Sequence, residues 1–124
     1  MKRVLSIGQC AADGTMIAQM LRSQFDAETM AVATEAEAVE MLRQRAVDLV
    51  LINRILDADG AYGIEVLKRL KNDEMLRSVP VILVSNLADA QQQAIAAGAL
   101  MGFGKAALND AETVARLKVA LGNM

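Results

Sequence analysis

The chain has 124 residues, a net charge of −2 and 54% hydrophobic residues, which predicts a single domain over residues 1–124 with one buried core. With one cysteine and no histidine, an intrachain disulfide and a cluster of thiolate or imidazole metal ligands are excluded. Balanced charge and few aromatic residues argue against a nucleic-acid-binding surface. No apolar run reaches the roughly 18 residues of a membrane span, and no signal-peptide core is present, so we predict a cytoplasmic protein.

Apolar runs alternate with helical patterns in the first part of the chain. A strand is predicted over 4–7 and a helix over about 12–25, where apolar residues recur at helical spacing. The residues of that helix expected to face the core are Met16, Ile17, Met20, Leu21 and Phe25. A weaker strand is predicted over 27–32, and Thr34 with Glu37 forms a capping box that begins a second helix. The inward residues of the second helix are Ala38, Met41 and Leu42.

The middle of the chain repeats this alternation. The most hydrophobic strand is predicted over 47–52, and a loop over 54–63 follows it. A helix over about 64–72 comes next, with its inward residues at Val66, Leu67 and Leu70. Pro80 directly precedes a strand over 81–84, a position where its missing N–H does little harm.

The last part completes five strand–helix units. A helix over 88–97 ends at Gly98, a short strand spans 99–103, and residues 109–112 cap a final helix. The inward residues of that helix are Val114, Leu117 and Leu121. Near-continuous apolar strands indicate a parallel sheet covered on both faces. Right-handed crossovers then favour a flavodoxin-like (βα)5 doubly wound sheet of strand order 2-1-3-4-5, in three α/β/α layers.

Ligands of such a sheet bind beyond the carboxyl ends of the strands, near the switch point between the first and third strands. Gly8 and Gln9 follow the first strand, and Asn53 ends the third. Ser85 ends the fourth strand and Lys105 follows the fifth. We therefore take these five positions as the candidate site.

Over essentially its whole length the chain resembles the receiver domains of two-component signalling. The resemblance is carried by the segments KRVLSIGQC, VDLVLINRILDADGAYGIEVLKRL, VPVILVSN and GALMGFGKA. It implies an acidic pair that holds Mg²⁺, an aspartate that accepts the phosphoryl group, and a Ser/Thr and a Lys that bind that group. Ser85 and Lys105 match the last two positions, but the acidic pair falls on Gly8 and Gln9 and the acceptor falls on Asn53.

Three further positions depart from the receiver pattern that the resemblance implies. Gly102 stands where an aromatic switch residue is expected on the fifth strand, and Ala106 replaces the proline that usually follows the lysine. The loop after the third strand is about two residues longer than usual if Gly63 matches the family's loop glycine. The departure at Gly102 predicts weaker coupling between two conformational states.

These departures remove the chemistry that receiver phosphorylation needs. The amide of Asn53 is neutral and a poor nucleophile, and Mg²⁺ prefers carboxylate ligands, which Gly8 and Gln9 do not supply. We therefore predict no catalytic residue, no metal and no cofactor, in a protein that is not an enzyme. The sequence instead predicts an atypical, phosphorylation-independent receiver that acts as a protein–protein interaction module in signal transduction.

The resemblance also implies where a partner binds. The usual partner or dimer face of a receiver is formed by helix four, strand five and helix five, here 88–97, 99–103 and 111–121. The apolar residues near one edge of this face are Leu87, Leu100 and Met101. We predict a homodimer or a signalling-protein partner through this face, and neither a nucleic-acid nor a membrane partner.

Two other functions stay open. The first is a receiver phosphorylated at a relocated aspartate, Asp57 or Asp59, which the longer loop brings toward Lys105. The second is a small-anion sensor, in which Ser85 and Lys105 hold an anion in an acidic pocket that Gly8 has left roomier and less negative. The sequence names no ligand for such a sensor.

Ordinary structural roles compete with these functions. Asn53 is expected to cap the strand end and bond the next loop, and Ser85 to form a turn. Lys105 is expected to pair with one of the two loop aspartates or to project into water, and the aspartates themselves are read as solvated turn residues. Cys10 is predicted to be an inert, partly packed thiol; redox sensing is the alternative, because a helix N-terminus lowers a thiol pKa.

Overall fold

Five strands and five α-helices alternate along the described residues, 1–122, of the computed structural model. The strands are β1 (Arg3–Ile7), β2 (Glu28–Val32), β3 (Leu49–Asn53), β4 (Val81–Val84) and β5 (Leu100–Phe103). The helices are α1 (Ala11–Phe25), α2 (Glu35–Gln44), α3 (Gly63–Asn72), α4 (Ala88–Ala96) and α5 (Ala111–Ala120). A 3₁₀ turn over Lys105–Ala107, which the sequence did not predict, lies between β5 and α5.

The five strands form one parallel sheet of order β2-β1-β3-β4-β5, which confirms the predicted flavodoxin-like topology. Ile7 at the end of β1 lies opposite Val32 on one side and Ile52 on the other. The strand order reverses at β1, so its carboxyl end opens into the crevice between β1 and β3. This crevice is where the candidate residues were expected.

Alternation along the strands divides the core into two layers. On β1, Leu5 and Ile7 face one layer, which is packed against α2, α3 and α4, while Val4 faces the other, packed against α1 and α5. Both layers are dense with aliphatic side chains whose exposure is close to zero. Burial on both faces explains why the strands read as nearly continuous apolar runs.

Local signals place several helix ends correctly. The capping box before α2 is present: Glu37 N donates to Thr34 Oγ1 at 3.3 Å, and Thr34 N donates to Glu37 Oε1 at 3.2 Å. Gly98 follows α4 with φ of 108°, as a residue just beyond a helix end often does. No helix within residues 1–122 is long and apolar enough to cross a bilayer.

Two expectations from the sequence were wrong, one about a core residue and one about the start of a strand. Met16 was expected to face inward but is 51% exposed, because it lies at the margin of the apolar stripe that Ile17 and Leu21 centre on the sheet. The strand predicted from residue 47 begins at Leu49, and the Asp48 carboxylate just before it accepts a hydrogen bond from Arg3 N at 2.8 Å.

Candidate functional site

A leucine covers the first position of the expected acidic pair. Gly8 follows β1 with φ of +75°, a conformation that side-chain-bearing residues rarely adopt. A Cβ atom added there would lie 2.9 Å from Leu56 Cα and would overlap the Leu56 side chain, which is fully buried. The space above Gly8 is therefore filled, and the roomier pocket expected from the loss of an acidic side chain does not exist there.

Leu56 is held in place by the fold of the long loop after β3. Ile55 and Tyr62 form an antiparallel bridge, and Leu56 N donates to Ala61 O at 2.9 Å. Asp57 N then donates to Gly8 O at 2.9 Å, which ties the loop to the end of β1. The loop is thus a closed, hairpin-like flap with Leu56 on its inner side.

The two aspartates of the flap lie outside the crevice. Asp57 and Asp59 are both exposed, and Asp59 Oδ1 accepts a hydrogen bond from Ala61 N at 3.0 Å, as a turn-forming aspartate does. The expected ion pair between either of them and Lys105 is absent from the salt bridges of residues 1–122. The bridge that closes the flap fixes both carboxylates away from the crevice.

Lys105 pairs instead with Asp13, in the first turn of α1. Lys105 Nζ lies 2.7 Å from Asp13 Oδ2, and about a third of each side chain is exposed. The hydrogen bond from Lys105, helped by a second from Cys10, lowers the pKa of Asp13 below its ordinary value. Asp13 was not predicted as a site residue, because an acidic residue in the first turn of a helix is already explained by the helix dipole.

Asn53, at the position of the acceptor, is used as a hydrogen-bond donor. Its Nδ2 donates to Gly8 O at 3.0 Å. The expected bond to the next loop was therefore wrong, since the amide reaches the loop after β1. A carboxylate cannot make this bond, because it has no N–H to donate. The end of β3 is thus joined to the end of β1 by an interaction that an amide, but not an aspartate, supports.

A cleft of about 370 Å³ remains beside Asn53, between the ends of β3 and β4. Its polar lining is formed by Asn53, Arg54, Ser85, Asn86 and Lys105. Ser85 is buried, and its Oγ accepts a hydrogen bond from Leu87 N at 3.1 Å, the turn-forming geometry expected of it. The cleft carries two cationic side chains and no carboxylate.

Gln91 of α4 bridges an irregularity in the sheet next to Gly102. Ile82 pairs with Leu100 and Val84 with Phe103, so β5 holds one residue more than β4 between these pairs. The Gln91 amide fills the gap, because Nε2 donates to Leu83 O at 2.8 Å and to Ser85 O at 3.0 Å. The Gln91 Oε1 atom accepts a hydrogen bond from Gly102 N, in the part of β5 that holds the extra residue, at 2.8 Å.

Gly102 lies close to β4 and to the Gln91 side chain on the side where a Cβ atom would stand. An added Cβ would overlap Leu83 O and lie 2.8 Å from Ile82 Cγ2. Its carbonyl accepts a hydrogen bond from Arg116 Nη1 of α5 at 2.8 Å. The position has no room for an aromatic residue.

A profile of the response regulator receiver domain family matches residues 10–117. The chain belongs to this family. Among proteins of known role, it is 38% identical over 61 residues to the polar-differentiation response regulator DivK of Brucella ovis and of Brucella abortus strain 2308. That similarity covers 49% of this chain and 48% of DivK, so the chain spans about half the length of the curated relatives it matches.

Solved structures share the receiver fold along almost the whole chain. A putative response regulator from Chloroflexus aurantiacus has a TM-score of 0.83 at 20% identity, with 98% of each chain covered. The receiver domain of a DNA-binding response regulator from Colwellia psychrerythraea scores 0.82 at 21% identity, covering 99% of this chain and 100% of its own. CheY4 of Vibrio cholerae scores 0.75 at 17% identity, covering 98% and 99%. At these identities the likeness concerns the fold alone.

The residues of this receiver domain do not fit the Mg²⁺ ion that its family implies. Mg²⁺ requires near-octahedral oxygen ligands and is usually held by one or two carboxylates. Gly8 has no side chain and is covered by Leu56, and the Gln9 amide is buried away from the cleft. Asn53 presents its N–H to Gly8 O. Within residues 1–122, no three side chains of the metal-binding types lie together.

Cys10 caps the start of α1 in this receiver domain. Its Sγ accepts a hydrogen bond from Asp13 N at 3.5 Å, and the thiol is half-buried and unpaired with other cysteines. Its half-buried position agrees with the partly packed thiol that was predicted, whereas its capping hydrogen bond was not predicted. Gln91 and Arg54, by contrast, were not singled out by the sequence, since nothing local distinguishes them from other polar helix and loop residues.

Proposed function

We propose that this receiver domain acts without phosphorylation, as a protein–protein interaction module in signal transduction, and that it has no phosphotransfer activity. The observation that carries the proposal is the position of Leu56 over Gly8, where a receiver is expected to carry an acidic side chain. A buried leucine excludes both the metal ion and the water that would solvate it. The space above Gly8 is thus filled by packing, and the site differs from a phosphorylation site at three positions, Gly8, Gln9 and Asn53.

The remaining polar groups of the site support the same conclusion. Asn53 donates a hydrogen bond to Gly8 O, which no aspartate at this position could do. Lys105 is paired with Asp13, so its charge is already compensated. Asn53 and Lys105 are therefore each paired with another part of the protein, as expected of side chains that no longer serve phosphorylation.

The proposed interaction surface is the groove between β5 and α5. The groove measures about 300 Å³ and its lining is mostly apolar, with Leu100, Met101, Ala115 and Val119 at its surface. Val119 is 76% exposed and lies beside Leu100 and Met101, which are also exposed, so these side chains form one apolar patch. Arg116 and Glu112 form an ion pair at its rim, so the surface carries charges of both signs around an apolar centre.

Phosphorylation is tested by incubating the protein with acetyl phosphate and Mg²⁺ and measuring its intact mass. We expect no phosphoryl adduct on the wild type. A labile adduct of one phosphoryl group that disappears in Asp57→Asn or in Asp59→Asn would establish the relocated acceptor instead. Asp110→Asn, at the exposed start of α5, is the matched control for the general loss of a carboxylate.

The interaction surface is tested by light scattering over a concentration series. We expect the wild type to self-associate and Val119→Glu to weaken that association. Met75→Glu is the matched control, because Met75 is also 76% exposed but lies after α3, away from the groove. If both variants self-associate as strongly as the wild type, the contact lies elsewhere on the protein. If the wild type is monomeric, the partner must be a different protein.

Small-anion binding is a second candidate, and the cationic side chain of Arg54 favours it. Arg54 lines the cleft and forms none of the salt bridges of residues 1–122, whereas Lys105 is already paired with Asp13. An NMR titration with inorganic phosphate is expected to shift the amides of Asn53, Ser85 and Asn86, and Arg54→Gln to weaken the response. Unmoved amides at tens of millimolar phosphate would remove this candidate and leave the interaction module.

A further inference from the structure

A second cavity lies on the other side of α1 from the Lys105 ion pair. It measures about 330 Å³ and lies between α1 and the strands β1 and β2, with Ser6 of β1 and Thr29, Ala31 and Val32 of β2 in its lining. Small residues of α1 leave this space: Ala11, Gly14, Thr15 and Ala18. The adjoining part of the same layer is filled by Ile17, Leu21 and their large apolar neighbours, so the gap is local to one end of the helix.

Unpaired polar atoms gather around this cavity. Among residues 1–122, the buried side-chain nitrogen and oxygen atoms without a hydrogen-bond partner are Ser6 Oγ, Thr29 Oγ1 and both amide atoms of Gln9. All three residues line this cavity. Ser6 is only 2% exposed, so water at the molecular surface does not satisfy it. Buried polar atoms are normally paired with protein groups or with ordered water, and four such atoms in one place make this cavity a polar site that can receive a partner.

The side chains that line the cavity select the chemistry of that partner. None of them carries a charge, and an ion buried there would lose its hydration without gaining a counter-charge. The Gln9 amide offers an N–H donor beside a carbonyl acceptor, and the hydroxyls of Ser6 and Thr29 can each donate and accept. The complement of a primary amide is another amide edge, with an adjacent C=O and N–H.

We propose that this cavity is a binding site for a small, neutral molecule that presents an amide edge to Gln9. A volume of about 330 Å³ lies at the lower end of ligand pockets, which are roughly 300–1,000 Å³. A methionine or leucine in place of Gln9 would fill the space without an unpaired group, so packing alone does not require an amide at this position.

The probe for the test is 2-pyrrolidinone, a cyclic amide, and cyclopentanone is the matched control, because it has the same ring size and carbonyl but no N–H. Each is titrated into the full-length ¹⁵N-labelled protein. We expect saturable shifts of the amides of Ser6, Gln9 and Thr29 with 2-pyrrolidinone, and binding of cyclopentanone that is roughly tenfold weaker, since one hydrogen bond is missing. The variant Gln9→Met is expected to abolish the preference for the amide, whereas Gln92→Met, an exposed glutamine on α4, leaves it unchanged.

Thermal unfolding gives a second readout that does not depend on the affinity of one probe. We expect Gln9→Met to raise the melting temperature of the free protein, because it removes a buried unpaired amide. A lower melting temperature would show that the amide already has partners within the protein and would overturn the proposal. If Gln9→Met does not fold, Thr29→Val takes its place in both measurements.

Two further results would also overturn the proposal. The first is the absence of any saturable shift at Ser6, Gln9 and Thr29, together with ordered waters on these side chains in a crystal structure, which would make the cavity a hydration site. The second is equal binding of 2-pyrrolidinone and cyclopentanone, which would make it a nonspecific apolar gap.

Discussion

Replacing Gln91 with methionine is expected to destabilise the protein strongly. Gln91 is 6% exposed and its amide makes three hydrogen bonds to backbone groups, with lengths of 2.8, 3.0 and 2.8 Å. These backbone groups cannot pair with one another, because the extra residue in β5 shifts its register relative to β4 at this point. Methionine has a similar length and fills the same space but provides neither the donor nor the acceptor.

The size of the effect follows from the groups left behind. The substitution leaves the Gly102 N–H and the carbonyls of Leu83 and Ser85 without their side-chain partner in a buried position. Each unsatisfied buried group costs about 1–3 kcal/mol. Local relaxation and the apolar contacts of methionine offset part of this sum, so we expect a loss of about 2–4 kcal/mol in the free energy of unfolding.

Equilibrium urea unfolding followed by far-ultraviolet circular dichroism measures this loss. The urea midpoint of Gln91→Met should fall while the m-value stays unchanged. Gln92→Met is the matched control, since its side chain is exposed on the same helix and its stability should remain within about 0.5 kcal/mol of the wild type. A Gln91→Met protein within about 1 kcal/mol of the wild type would refute the bridging role.

Other predictions concern the crevice and the helix ends. Gly8→Asp is expected to lower the free energy of unfolding by more than about 2 kcal/mol, from its positive φ and its overlap with Leu56. Asp13→Asn should lose about 0.5–1 kcal/mol at pH 7, as expected for a partly exposed ion pair with Lys105. Because the pKa of Asp13 is lowered in the folded protein, its contribution is complete above its ordinary value of 3.8 and disappears as the pH falls through the lowered value. Thr34→Ala removes the capping box and should cost about 1 kcal/mol.

Urea titrations of each variant beside the wild type check these values, repeated along a pH series for Asp13→Asn. A Gly8→Asp protein with the same free energy of unfolding as the wild type would mean that the Leu56 side chain moves aside at little energetic cost. A constant difference between Asp13→Asn and the wild type down to the most acid pH would exclude the ion pair as its cause. Thr34→Ser, which keeps the hydroxyl, should retain most of the stability that Thr34→Ala loses.

The local sequence determined the elements of this protein and therefore its fold. Alternating apolar runs and helical spacings placed the five strands and five helices to within about two residues. Burial on both faces of the sheet requires consecutive residues of each strand to be apolar, and this pattern is visible in the local sequence. The capping box at Thr34 was visible because its partners are three residues apart. The identities at Gly8, Gln9 and Asn53 likewise showed from the sequence that the family's carboxylates are missing.

Only the tertiary structure decided what took their place. Leu56 covers Gly8 because a flap folds back over the end of β1, and Lys105 meets Asp13 because the sheet brings α1 beside the end of β5. Gln91 acquires its role from a mismatch between two strands, which no spacing within α4 reveals. Such contacts join residues far apart in the chain, and their geometry depends on packing, whereas periodicity and capping depend on neighbours.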